Sequence, residues 1–164
     1  MIKGFAGDYK WLSNSYVGGP NIKYGSMYFE SVENAYQAAK TNNLHDRYIL
    51  SLDAVKLVAP EKAKEFGRRL QLRPNWDQIK VEIMRELLFQ KFAAYPTLED
   101  SQLTQRLLST APQYLVELNN WNDTFWGVCA GHGSNVLGKL LMQVRNEIHF
   151  ALTDEEIETE QPEE

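Results

Sequence analysis

The chain has 164 residues, 43% of them hydrophobic and 24% charged, which allows a proper core and is ordinary for a globular protein. No apolar run approaches a membrane span, the N-terminal MIKGFAGDYK has no signal-peptide pattern, and a single cysteine, Cys129, excludes an intramolecular disulfide, so a cytoplasmic setting is expected. The net charge of −5 is unevenly placed: seven of the 22 acids lie in residues 153–164, and the remaining body carries two more bases than acids.

Residues 1–30 read as short β-prone pieces at 9–12, at Tyr24 and at 27–29, with turn signals at 18–21 and 24–26; a hairpin leading into the next helix fits this pattern. Ser31 is a good N-cap for a helix over 31–40, SVENAYQAAK. Val32, Ala35, Tyr36 and Ala39 recur as one buried stripe, while Glu33, Gln37 and Lys40 recur at steps of four and three on a second face. That column of carboxylate, amide and amine is either the polar wall of a pocket or a solvated helix face. Residues 46–52 form a weaker helix candidate with Asp46 as its cap. Pro60 opens a clearer helix with Ala63, Phe66 and Leu70 facing inward and Gly67 inside it or at its end.

Asn75 caps the best-formed helix, about 76–94, with a stripe of Ile79, Ile83, Met84, Leu87, Leu88 and Phe92, and Pro96 ends it. Thr97 with Asp100 resembles a capping box for a helix to about 109 that buries Leu103, Leu107 and Leu108 before Pro112 breaks it. Residues 114–118 are a strand candidate. Asn135 caps a last helix to about 148, with Leu137, Leu140, Leu141, Val144 and Ile148 inward. Without repeats or a linker, this predicts one compact, helix-rich α+β domain with a few short strands over residues 1–150. An acidic tail over 151–164 follows, expected to be flexible and solvated, or else to screen a basic site.

The segment between strand and last helix, NNWNDTFWGVCAGHGS at 119–134, is too rich in aromatics to be mere connection. Trp121, Phe125 and Trp126 favour burial, and Asp123 between aromatics is a candidate for acid–base or charge-stabilising work. Gly127, Gly131 and Gly133 would let backbone N–H groups approach a phosphate, with the helix start at Asn135 beside them; the plainer reading is a structural loop pinned by tryptophan. Trp76 and Trp126 are candidate stacking surfaces for a flat base, although Trp76 also fits the buried start of a helix. Arg47, Arg68, Arg69 and Arg145 are candidate phosphate forks or ordinary surface charges. His45, His132, His149 and Cys129 have no metal-site spacing.

Taken together, several motifs come in order: LSN at 12–14, SVENAYQAAK at 31–40, GR at 67–68, NW at 75–76 with Lys80, KF at 91–92 and LxxT at 107–110. LxExNxWxDxFWG at 115–127 and NxLGKxLMxVR at 135–145 complete the series. This order resembles the NADAR, or YbiA-like, family over nearly the whole chain apart from the acidic tail. The resemblance implies an N-glycosidase that cleaves a C–N bond at ribose C1, on a compact, largely helical α+β fold. One branch of the family hydrolyses phosphoribosylaminopyrimidine intermediates of riboflavin synthesis. Another removes ADP-ribose from guanine in DNA or RNA.

Carried over by position, the family's acidic residue falls on Glu33, its lysine on Lys40, its N-W tryptophan on Trp76, its late aspartate on Asp123 and its LSN asparagine on Asn14. Ser15, Asn34 and Asn122 depart from one common family form, which bears on pocket detail and substrate choice. Loss of a base from C1 creates an oxocarbenium-like centre, which a carboxylate stabilises or which a carboxylate-activated water attacks; Glu33 and Asp123 both suit either part. Lys40 would donate to the leaving group or to ribose oxygens. Alternatively it is a nucleophile forming a Schiff base, which needs a lowered amine pKa that Glu33 opposes. Asn14 and Gln37 would read polar edges, Trp76 and Trp126 would stack on the base, and Gly127 and Arg47 would meet phosphate. No cofactor, metal or membrane is called for, and a monomer is expected. The rival readings are a non-catalytic module that binds ADP-ribose or NAD, and an interaction protein acting through its tail.

Overall fold

The computed structural model describes residues 1–93 and 102–159, with side chains through 154. It is helix-rich with a few short strands, and its contacts cluster into two compact units, the first Phe5–Lys91 and the second Met1–Gly4 with Phe92–Glu164.

In the first unit, residues 7–12 form a 3-10 helix, Gly7–Leu12, where a strand was expected. The aromatic and aliphatic residues there have no strand to pair with. Local bonds close the turns instead, from Tyr9 N to Ala6 O and from Ser13 N to Lys10 O, both 3.0 Å. The hairpin forms as expected, β2 (Ile22–Tyr24) antiparallel to β3 (Met27–Phe29). It leads into α1 (Val32–Ala39), which Ser31 caps by accepting the Asn34 N–H at 3.1 Å. All eight residues of α1 are buried. Asn34, a departure from the common family form, ties α1 to the chain that follows: its Nδ2 donates to Val58 O at 2.6 Å and to Leu50 O at 3.4 Å.

α2 spans Leu44–Leu50, and its cap is Asn43 rather than Asp46, because the Asn43 side chain accepts the His45 and Asp46 N–H groups. α3 (Pro60–Gly67) starts on its proline and packs against α1. α4 (Trp76–Phe92) buries Ile83, Met84, Leu87 and Leu88, while Ile79 is only half-buried. The expected helix stop at Pro96 and the cap at Thr97 and Asp100 lie outside the described residues.

In the second unit, β1 (Ile2–Lys3) pairs in parallel with β4 (Leu115–Val116), and β5 (Leu118–Asn119) pairs in parallel with β6 (Val128–Cys129). The single strand expected at 114–118 is therefore two short ones. α5 (Gln102–Ser109) buries Leu103, Thr104 and Leu107 and leaves Leu108 half-exposed; Thr104 is inside because its hydroxyl donates to Phe92 O.

α6 (Val136–Thr159) runs eleven residues past the expected end at 148, so the first part of the acidic segment is helical. Asn135 does not act as a side-chain cap for it. Its φ is 51°, its Nδ2 donates to Leu115 O at 2.9 Å and its Oδ1 accepts Glu117 N–H at 3.0 Å, so the side chain holds β4. Gly138 makes room for this clasp, since a Cβ there would overlap Leu115 O and the Asn135 amide. Arg145 is buried as well, with Nη1 donating to Thr110 Oγ1 and Gln113 O, both at 2.9 Å. Those bonds are structural, and the expectation of a phosphate fork there does not hold.

Candidate functional site

The residues expected to carry chemistry in the first unit gather at the two ends of α1. At its start, Glu33 is 9% exposed and its backbone N–H donates to Asn14 O at 2.9 Å, so the LSN turn and the helix N-terminus are joined. Glu33 Oε1 accepts from Gln37 Nε2 at 2.6 Å. The column of Glu33 and Gln37 is therefore interior rather than a solvated face. Asn14 Oδ1 and Gln37 Oε1 are both buried and have no hydrogen-bond partner among the described residues, while Asn14 Nδ2 lies 3.5 Å from Met84 Sδ.

At the other end, Lys40 is half-buried and its Nζ lies 5.5 Å from the centre of the Tyr36 ring. Burial pushes its amine below the usual lysine range; the Glu33 carboxylate opposes this, and the positive charges of Lys64, Arg68 and Lys80 add to it. The Lys40 carbonyl accepts from Arg73 N at 2.7 Å, and Arg73 Nη1 donates to Tyr24 OH at 2.9 Å. Arg47 stacks over the same Tyr24 ring at 5.3 Å and gives its Nε–H to Thr41 O at 2.7 Å. Trp76 is buried, 6% exposed, with its ring tilted against Tyr36 at 5.2 Å, so most of its indole is already covered.

Sequence reasoning missed Lys91 here. It is 2% exposed, its Nζ donates to Ser13 O at 2.7 Å and sits 5.4 Å from the Tyr16 ring centre, and burial lowers its pKa to about 7. Its place three and four residues after Leu88 and Leu87 puts it on the buried stripe of α4, which was the available signal.

In the second unit, Asp123 is half-buried and Oδ1 accepts from Phe125 N at 3.2 Å and Trp126 N at 2.9 Å. Asn119 completes the turn, with Oδ1 accepting Asp123 N–H and Nδ2 donating to Asp123 O at 2.8 Å. Gly127 is buried, and a Cβ there would overlap Glu117 O and crowd the Asn119 amide, so the position has room only for glycine. The loop aromatics are not interior as expected. Trp121 is 54% exposed and Phe125 39%, and Trp126 is half-buried with its ring edge-on to Phe125 at 5.0 Å.

Asp123→Ala is expected to lower the unfolding free energy by about 1–2 kcal/mol through the two lost backbone bonds. Asp123→Asn, which keeps the acceptor, should lower it much less. Urea unfolding of the two variants checks this.

Among the described residues no group of three or more His, Cys, Asp or Glu could hold a metal ion, and no helix is long and apolar enough to cross a membrane.

The NADAR domain family matches residues 4–149. N-glycosidase Npun_R5314 of Nostoc punctiforme is 40% identical over 135 residues, covering 80% of this chain and 82% of that protein. N-glycosidase YbiA of Escherichia coli K12 is 35% identical over 130 residues, covering 77% of this chain and 75% of that one. The chloroplastic riboflavin biosynthesis protein PYRR of Zea mays is 40% identical over 129 residues, but this chain spans only 19% of its length. The NMR structure of the Escherichia coli protein YbiA superposes with a TM-score of 0.75 at 29% identity, covering 99% of this chain and 89% of that one.

Proposed function

Because the chain belongs to the NADAR domain family, we propose that it is an N-glycosidase that hydrolyses the bond between ribose C1 and a base nitrogen. The naming of two of its relatives as N-glycosidases supports this. The observation that carries it in this chain is the buried Glu33, held by Gln37 at 2.6 Å on the helix that ends in a half-buried Lys40 of lowered basicity. As the base leaves, positive charge grows on C1 and the ring oxygen; Glu33 stabilises that charge and orients the attacking water. Lys40 lies one turn beyond Gln37 and donates to the leaving base or to ribose oxygens. Asp123 shapes the aromatic loop rather than moving a proton, a reading supported by its two bonds to backbone N–H groups.

The lowered basicity of Lys40 also favours a covalent route. There the neutral amine adds at C1 as the base departs with a proton, the ribose ring opens to an imine, and water then frees the sugar. Borohydride added during turnover would leave a reduced sugar adduct on Lys40 in this route, and unmodified protein in the direct one.

For substrate, we favour a phosphoribosylaminopyrimidine of the riboflavin pathway, in keeping with the name of the maize relative. The exposed Trp121 and Phe125 favour a second reading, removal of ADP-ribose from guanine, since they offer apolar faces to a nucleobase. Mass spectrometry decides between them with an oligonucleotide carrying ADP-ribosylated guanine and, separately, the aminopyrimidine, each with the Glu33→Gln variant alongside. Binding of ADP-ribose without turnover of either would make the protein a reader.

Both substrates carry phosphate, and the charges of Lys64, Arg68 and Lys80 all reach Lys40. Arg68→Gln is expected to raise KM for the phosphorylated aminopyrimidine roughly 2- to 5-fold, the scale of one exposed charge, and to leave the dephosphorylated substrate unchanged. Steady-state kinetics on the two substrates measures this.

A further inference from the structure

Gln37 is 3% exposed and sits one helical turn beyond Glu33 on α1. Its Nε2 donates to Glu33 Oε1, and this sets the amide's orientation, because the opposite flip would press an acceptor oxygen against a carboxylate. The other end of the amide lies against the bare Cα of Gly67, the last residue of α3. A Cβ at Gly67 would overlap Gln37 Oε1 and Cδ, and the three nearest atoms it would meet all belong to the Gln37 side chain. The Gly67 backbone is not in the left-handed region, so glycine is needed there for space and not for conformation. The glycine of the GR motif at 67–68 had no task in the sequence reading, and this contact supplies one.

We infer that Gln37 and Gly67 are positioning residues for the Glu33 carboxylate. Gly67 leaves the room in which the Gln37 amide lies. The amide N–H in turn holds one carboxylate oxygen, fixing the Glu33 rotamer and favouring its ionised form, since N–H donation stabilises the anion more than the neutral acid. The consequence for catalysis rests on the N-glycosidase reading; the positioning itself does not. Gly67→Ala is the informative change. It alters no polar group, and only the flexible end of one side chain has to yield, so the backbone is expected to stay in place.

The test is carbon-13 NMR of ligand-free protein labelled at glutamate side-chain carboxyls, titrated with pH, with the Glu33 signal assigned by its loss in Glu33→Gln. Glu33 is expected to titrate at higher pH in both Gln37→Leu and Gly67→Ala than in the parent. With substrate, both variants should lose kcat about 10- to 100-fold, the scale of a displaced catalytic group, with KM within about two-fold. An unchanged Glu33 titration in Gln37→Leu overturns the inference. A raised KM with that titration unchanged makes Gln37 a substrate contact instead. A Gly67→Ala protein that titrates like the parent, or that no longer unfolds cooperatively, removes Gly67 from the device. Absence of turnover by the parent protein would sink the N-glycosidase reading and leave the titration result standing.

Discussion

Replacing Glu33 by Gln is expected to lower kcat/KM for the proposed glycosidase reaction by about a thousand-fold or more while the protein still folds. The change is isosteric, and the new amide keeps an oxygen that can accept the Gln37 N–H, so the 2.6 Å contact has a substitute. The first turn of α1 loses the favourable interaction of a carboxylate with the helix dipole, about 0.3–1 kcal/mol, and Lys40 loses the attraction of the Glu33 charge. In the proposed reaction, what disappears is negative charge facing a centre that becomes positive only in the transition state, so the loss should fall on kcat rather than on binding. Kinetics beside a thermal unfolding curve separates the effects. Activity within ten-fold of the parent, with the fold intact, would remove Glu33 from the reaction.

Lys91 should impose a pH dependence on stability that Lys91→Met abolishes. The unfolded chain holds this proton up to about pH 10.5, whereas the folded protein releases it near 7 because the amine is buried. Between those values the unfolded state binds one more proton, so the unfolding free energy rises with pH, with a slope approaching ~1.4 kcal/mol per pH unit. Below about pH 7 both states are protonated and the slope from this group vanishes. Methionine has similar length and no charge to bury. It forfeits the bond to Ser13 O, so near pH 9 the variant should be less stable by about 1–3 kcal/mol. The gap between the two proteins narrows as pH falls toward 7. Urea unfolding from pH 6 to 9.5 measures it, and a constant gap over that range would show that Lys91 keeps an ordinary pKa.

Where local chemistry decides a structure, the residues told it in advance. Ser31 with the Val32, Ala35 and Ala39 stripe marked α1, Pro60 marked the start of α3, and the Tyr24-Gly25-Ser26 signal marked the hairpin turn. The misreadings fall where partners far along the chain decide. The side chain of Asn135 looked like a cap, yet its bonds go to residues 115 and 117. Arg145 looked like a surface charge until the Thr110 hydroxyl and the Gln113 carbonyl gave it a buried seat. Residues 9–12 have strand-like composition, but strand formation needs a neighbour, which composition cannot supply.

The site was partly legible for the same reason. Spacing placed Glu33, Gln37 and Lys40 on one column, and choosing between solvent and interior needed to know that α3 covers α1. Gly67 could not be read as a site residue at all, because its contribution is an empty volume shaped for a side chain thirty positions earlier.

The pairing of β1 with β4 has a consequence for the order of folding during synthesis. Ile2 and Lys3 leave the ribosome more than a hundred residues ahead of their partners Leu115 and Val116. The stretch Phe5–Lys91 is continuous and can consolidate as soon as it is free of the exit tunnel, whereas the other unit must keep its leading strand unpaired until most of the chain has been made. A nascent chain arrested once residue 91 has cleared the exit tunnel should therefore resist protease across the continuous stretch and still be cut within residues 1–4.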